Sequence, residues 1–260
     1  MADGHLAAAA KARRAKVHVV LNQKGGVGKS TNAVQLAAVN ADTSGEQDST
    51  VVLSIDPQGS VVFWAERIQA IFEELLKADA KKAAERALPF HFVQGYDSLE
   101  ELADLPNLPG IQDIWVDTPG WIPTANLHAK DPFEDSGFAD ALRTVLDVAD
   151  DVLIPIEPEP LAFQPTYNTI EHVVKPRGLP YMVVVNNWDP RDGEGFRDQT
   201  IEFIDGQGWN RARTVVRHYR VHTNASADGL LVTTYPKNRV SLEARQDFYK
   251  LALEFGRMSR

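Results

Sequence analysis

Runs of consecutive apolar residues, several rich in β-branched side chains, recur along the chain at 17–22, 51–55, 90–93, 111–116, 152–156 and 181–185. A shorter run at 214–216 could add one more. Between them the spacing lengthens to a helical period. An alanine-rich stretch covers 29 to about 40. Another runs from 60 to about 87, with Phe63, Ile68, Ile71, Phe72 and Leu75 on one stripe, and a third covers 241–257. Continuous apolar strands alternating with helices predict an α/β fold: a doubly wound, mostly parallel sheet of about seven strands, covered by helices on both faces. The segment 121–137 is rich in Pro and Asp, has no period, and reads as a surface loop. No linker divides the chain, so 16–260 is expected to be one domain. Residues 1–15 are expected to form a flexible basic arm.

Composition removes several classes. Cysteine is absent, which excludes disulfides, thiolate zinc sites and Cys-ligated iron–sulfur clusters. No apolar run reaches the roughly 20 residues that span a bilayer. The first sixteen residues lack the apolar core of a signal peptide. The net charge of −9 argues against a nucleic-acid binder when taken whole. The charge is uneven, however. From Trp209 to Arg260 ten basic residues stand against four acidic ones, a surplus of six, so the remainder carries −15. Such asymmetry points to a surface that faces a polyanion.

The candidate chemistry starts at the end of the first strand. Asn22-Gln23-Lys24-Gly25-Gly26-Val27-Gly28-Lys29-Ser30-Thr31 lies between a strand and a helix, the context a phosphate-binding P-loop requires. The glycines let backbone N–H groups curl inward, and the following helix adds the positive end of its dipole. In this reading Lys29 reaches the β- and γ-phosphates, the Ser30 hydroxyl binds Mg²⁺, and Thr31 contacts the α-phosphate. Two carboxylates, Asp56 and Asp117, end the second strand and the 111–116 strand. Both should face the phosphates, because ligands of doubly wound sheets sit beyond the strands' C-terminal ends.

The loop departs from the standard P-loop. Gln23 stands where the first glycine would be, and a second lysine, Lys24, opens the turn. In this the chain resembles the deviant Walker A ATPases, a class that includes ParA, MinD and the nitrogenase iron protein. Asp56-Pro57-Gln58-Gly59-Ser60 with Trp64 and Arg67, and Leu153-Ile154-Pro155-Ile156-Glu157-Pro158-Glu159-Pro160, resemble the short ParA branch. That branch lacks an N-terminal helix-turn-helix domain.

The resemblance implies ATP and Mg²⁺ as cofactors and a slow ATPase. Lys24 would act across a homodimer interface, Lys29 on the bound phosphates and Asp56 on the attacking water. Asp117 would hold Mg²⁺ with Ser30, and the nucleotide would lie along residues 24–31. Asn186, at the end of the 181–185 strand, matches a position that contacts adenine. The resemblance also implies DNA segregation, for a plasmid or a chromosome. The ATP dimer would bind non-specific double-stranded DNA, and a centromere-bound ParB-like partner would release it by stimulating hydrolysis. The basic residues proposed for DNA are Arg211, Arg213, Arg217, Arg220, Lys237 and Arg239, and the expected location is the cytoplasm, on the nucleoid, with no membrane partner.

Two other readings stand beside this one. A MinD-like membrane switch would need a basic amphipathic helix at 241–257, but Glu243, Asp247 and Glu254 interrupt that face. A metabolic P-loop enzyme would need a substrate pocket that no residue cluster announces. Two departures from the resemblance lie near the expected dimer face: Gly120, where a second proline is usual, and the long 121–137 segment.

Overall fold

In the computed structural model, the described residues are 14–44, 49–57, 59–84, 87–95, 98–121, 132–133 and 138–258. The expected basic arm, apart from Arg14 and Ala15, and most of the 121–137 loop lie outside them. Six strands form one parallel sheet: β1 (Lys16–Val20), β2 (Thr50–Ser54), β3 (His91–Gln94), β4 (Asp113–Asp117), β5 (Asp151–Ile156) and β6 (Tyr181–Val185), in the order β3-β2-β4-β1-β5-β6. Side chains alternate between two buried layers because successive strand residues face opposite ways. Val17, Val19, Ile114, Val116, Val152 and Ile154 enter one layer. Val20, Trp115, Leu153, Met182 and Val184 enter the other.

Helices seal both faces. The first layer is closed by α4 (Leu99–Ala103), α5 (Ala139–Val148), α6 (Phe163–Asn168) and α7 (Gly195–Gly206), through Leu102, Leu142, Ala162, Ile170 and Ile204 on and around them. The second is closed by α1 (Lys29–Ser44), α2 (Ser60–Ala78), α8 (Arg220–Ala227) and α9 (Arg239–Met258), which contribute Leu36, Trp64, Val221 and Phe248. Burying strands on both faces is what makes them read as unbroken apolar runs.

Two elements differ from the sequence reading. The helix expected over 60–87 stops at Ala78. Asp79 turns extended, and its carboxylate accepts from the backbone N–H groups of Lys81 and Lys82. It thereby starts a separate short helix, α3 (Ala80–Ala84). The seventh strand expected at 214–216 is not formed. Residues 210–217 run beside β6, and Ala212 and Val216 donate to Val183 and Val185 at 2.8 and 2.9 Å. Between those two bonds, however, the N–H groups of Arg213 and Thr214 are taken by the Glu254 carboxylate of α9, at 2.6 and 3.0 Å. For Thr214, whose N–H falls on the β6 side between Ala212 and Val216, a side chain 40 positions away replaces the ladder partner, so only isolated bridges remain.

At the middle of β1 lies a buried charge cluster that includes the first residues of β4 and β5. His18 Nδ1 is 2.7 Å from Asp151, and Nε2 is 3.1 Å from Asp113. Burial alone would lower the imidazole pKa. The two carboxylates outweigh it through hydrogen bonds and charge, and raise it to about 9. Trp115 and Phe255 close over the ring at 4.6 and 5.7 Å.

Candidate functional site

The glycine loop leaves β1 at the middle of the sheet, where the chain's path changes direction. This is the crevice in which doubly wound folds hold their ligands. Its first residues are pinned from several sides. The Asn22 amide donates to the Pro155 carbonyl (2.8 Å) and the Thr166 hydroxyl (2.9 Å), while its oxygen accepts from the Lys24 N–H. The Gln23 N–H donates to Thr169, and the Gln23 side-chain oxygen accepts from Asn168. Gln23, in place of the usual glycine, therefore ties the loop to α6 and the turn after it.

Gly26 and Gly28 have φ of +79° and +86°, which only glycine adopts without strain. At Gly28 space is also closed: a Cβ there would stand 2.3 Å from the Asn186 Nδ2. Asn186 is buried at the end of β6, and its Nδ2 donates to the Val27 carbonyl at 2.8 Å. Gly120 answers to a similar constraint. A Cβ at this position would meet the Gln23 carbonyl at 3.0 Å and the Gly25 nitrogen at 3.1 Å. The Trp121 N–H also donates to Gln23 O, at 3.1 Å. Glycine at 120 thus lets the segment after β4 lie flat against the loop.

Lys29 is 6% exposed, and its ammonium arches back to the Lys24 carbonyl at 2.9 Å. Burial lowers its pKa to about 8, against the pull of Asp117 and Asp56. The Ser30 hydroxyl donates to Asp117 Oδ2 at 2.9 Å, and Ser54 approaches the same oxygen at 3.4 Å. Burial pushes the Asp117 carboxyl up to about 7 despite these bonds. Its other oxygen, Oδ1, is buried with no hydrogen-bond partner among the described residues. A half-buried hydroxyl paired with a buried carboxylate that keeps one orphaned oxygen is a donor set suited to a hard cation such as Mg²⁺. The buried Lys29 and the inward loop suit a polyphosphate. Asp56 is half-buried and acts electrostatically on both Lys29 and Asp117.

Lys24 lies elsewhere. Its ammonium is 2.9 Å from Glu157 and also pairs with Glu159. Burial lowers its pKa, but the two carboxylates outweigh that and raise it. Glu157 accepts in addition from Asn187 Nδ2 at 3.0 Å. Asn187 has φ +60°, the one non-glycine residue with positive φ among those described.

A cleft of about 340 Å³ opens from the glycine loop. Gly26, Gly28, Ser30, Thr31 and Asn186 line it together with Trp64, Val216, His222, Thr223 and Phe248. The structure thus brings Gly26, Gly28, Ser30, Thr31 and Asn186 to one cleft and sets Lys29 and Asp117 beside Ser30. Gly25 lies on the exposed outer side of the loop, and Val27 is buried beneath it. Sequence reasoning missed Glu157, Glu159, Ser54 and His222. The ParA-like 153–160 segment bore on the first two.

The six basic residues proposed for DNA do not form one uniform group. Arg211 pairs with Asp205, Arg217 with Asp247 and Glu243, and Arg239 with Glu243. Arg213, Arg220 and Lys237 are exposed, and their side chains have no ion pair among the described residues.

Comparison with known proteins adds to this geometry. The family model for the CobQ/CobB/MinD/ParA nucleotide binding domain matches residues 18–225. The chain is 30% identical over 243 residues to the maintenance of carboxysome distribution protein A of Gloeobacter kilaueensis, covering 93% of this chain and 94% of that one. Its fold is similar to that of the MinD cell division protein of Aquifex aeolicus, with TM-score 0.65, 17% identity, and 93% and 97% of the two chains covered. It is also similar to the Cyanothece McdA(D38A)–ATP complex, with TM-score 0.60, 14% identity, and 93% and 97% covered.

Proposed function

The chain belongs to the CobQ/CobB/MinD/ParA nucleotide-binding family, and from that membership we propose that it is a ParA-type positioning ATPase. In this reading it is a Mg-ATP-dependent dimerising switch that distributes a cargo over DNA. The observation that carries it is the cradle itself: a buried lysine, an inward-curled loop, and Ser30 paired with an Asp117 whose second oxygen lacks a partner.

The residues divide the work. The loop N–H groups and Lys29 would hold the phosphates, Thr31 would add a contact, and Ser30 with Asp117 would hold the metal. Bound Mg²⁺ supplies neutralisation of phosphate charge, and phosphoryl transfer needs little beyond positioning and charge. Asp56, whose charge acts on both Lys29 and Asp117, would orient the attacking water. Lys24 would leave Glu157 and Glu159 for a partner subunit's phosphates, forming a charge-assisted contact that exists only in the dimer.

DNA binding is supported by the basic surplus after residue 209 and by the three unpaired cations Arg213, Arg220 and Lys237. The name of the Gloeobacter relative supports a carboxysome-like body as cargo. Segregation of a plasmid or chromosome is the narrower reading of the same switch. In either case a cargo-bound partner protein would stimulate hydrolysis. No described helix is long and apolar enough to cross a membrane.

The test is binding of random-sequence duplex DNA with ATP, with ADP and without nucleotide, across a salt series. Binding that needs ATP and weakens steeply with salt supports the switch. An intact ATPase that binds no DNA in any state would turn the assignment toward a membrane surface or a metabolic substrate.

A further inference from the structure

At one edge of the sheet a row of backbone groups has no partner. β3 ends the strand order and pairs with β2 alone, His91 to Gln94 standing opposite Val51 to Ser54 in parallel register. The Gly95 N–H donates to Ser54 O at 3.2 Å. Backbone groups alternate in direction along a strand, so His91, Val93 and Gly95 turn theirs to β2, while Phe92 and Gln94 turn theirs outward. Among the described residues nothing bonds these two N–H and two C=O groups. The strand carries neither Lys nor Pro, two residues that commonly close an edge to pairing.

A groove of about 640 Å³ reaches this edge, lined by α2 and by residues from 87 to 92. Phe72, Leu88, Phe90 and Phe92 are its buried or half-buried apolar side chains, and Glu66 and Glu73 are its exposed carboxylates. Glu73 accepts from Gln69 at 3.0 Å, and neither carboxylate has an ion pair among the described residues. Phe90 and Phe92 pack into the layer that α2 closes. A strand laid against β3 would therefore send every second side chain toward the groove. The two glutamates are two helical turns apart, about 10 Å along α2. Residues i and i+4 of a strand share a face about 13 Å apart. Basic side chains at those two positions reach both carboxylates, and an apolar one at i+2 meets the aromatic lining. A second copy pairing through its own β3 would instead set Glu66 and Glu73 against their like, which is repulsive.

We propose that the β3 edge and this groove dock an extended segment of a partner protein by strand addition, the segment presenting basic, apolar and basic side chains at alternate positions. No residue of the groove lines the glycine-loop cleft, so the inference stands apart from the nucleotide reading.

The experiment titrates the full chain with the peptide acetyl-Thr-Lys-Thr-Leu-Thr-Lys-Thr-amide, whose Lys, Leu and Lys share one face, and with the same peptide carrying Glu for both Lys. Amide hydrogen exchange is read residue by residue by NMR. The lysine peptide should slow exchange at Phe92 and Gln94 by about tenfold and leave Val93, already bonded to β2, unchanged. The glutamate peptide should leave all three unchanged. Glu66→Lys with Glu73→Lys should weaken binding of the lysine peptide by about tenfold. Gln94→Pro, which removes one outward N–H and no bond to β2, should weaken it by about fivefold. A lysine peptide that does not bind, that binds while Phe92 and Gln94 exchange as before, or that binds no better than the glutamate peptide overturns the proposal. Protection of the same two amides that grows with protein concentration in the absence of peptide gives the edge to a second copy, and overturns it as well.

Discussion

The ammonium of Lys24 ends on the carboxylate of Glu157, 2.9 Å away in the same chain. Glu159 holds it from a second side. The lysine proposed to bridge two subunits is thus engaged in cis, and the proposed dimer would need that engagement to break. Both pairs are partly exposed, so together they are worth on the order of 1 kcal/mol.

Replacing both carboxylates, Glu157→Gln with Glu159→Gln, should therefore lower the ATP concentration at which the protein dimerises by about fivefold. Sedimentation velocity across an ATP series measures this. A shift toward higher ATP would mean that the glutamates serve the dimer instead of opposing it. Lys24→Ala should abolish the ATP dimer while leaving nucleotide binding to the monomer.

Asn186 was expected to read adenine, yet its Nδ2 is bound to the Val27 carbonyl. Losing that buried bond should loosen the glycine loop for every nucleotide. Asn186→Ala should weaken ATP and GTP alike, by about tenfold each, in equilibrium binding. A loss confined to ATP would favour the adenine-reading role expected from the sequence.

What was legible in the sequence, and what was not, follows from how far apart the partners lie. The cradle from Asn22 to Thr31 is contiguous, and its glycine and lysine spacing carries the chemistry within a single turn. Asp117 was readable because it ends an apolar strand. Glu157 meets Lys24 across 133 positions, and Asn22 meets Thr166 across 144. No local pattern encodes such meetings. The same distance effect undid the seventh strand, because the ladder partner of Thr214 was replaced by Glu254. His222 sits in a helix whose sequence offers no sign that one ring nitrogen would be left without a partner.

The basic residues should separate into two groups. Arg217 is held by Asp247, itself only 7% exposed. Arg217→Ala would strand that carboxylate and should cost roughly 3–5 kcal/mol of stability, measured by urea unfolding. Arg213→Ala, Arg220→Ala and Lys237→Ala together should leave stability within about 1 kcal/mol. They should reduce the salt slope of DNA binding by roughly three. An unchanged slope would remove these three residues from the DNA surface.

His18 makes stability depend on pH in a defined direction. Its folded pKa of about 9 lies above the ordinary 6.5, so the folded state holds the proton more tightly than the unfolded chain. The stabilisation is fully present below about pH 6.5 and is lost as pH rises through 9. At about 1.4 kcal/mol per pH unit, the gap corresponds to stabilisation on the order of 3 kcal/mol. Urea midpoints at pH 6.5, 8 and 9.5 should therefore fall progressively. His18→Leu with Asp151→Asn removes the proton site and one of the two carboxylates that hold it, so the decline over that window should flatten. A double variant that declines as steeply as wild type would place the sensitivity in other groups and deny the Asp113–His18–Asp151 cluster this role.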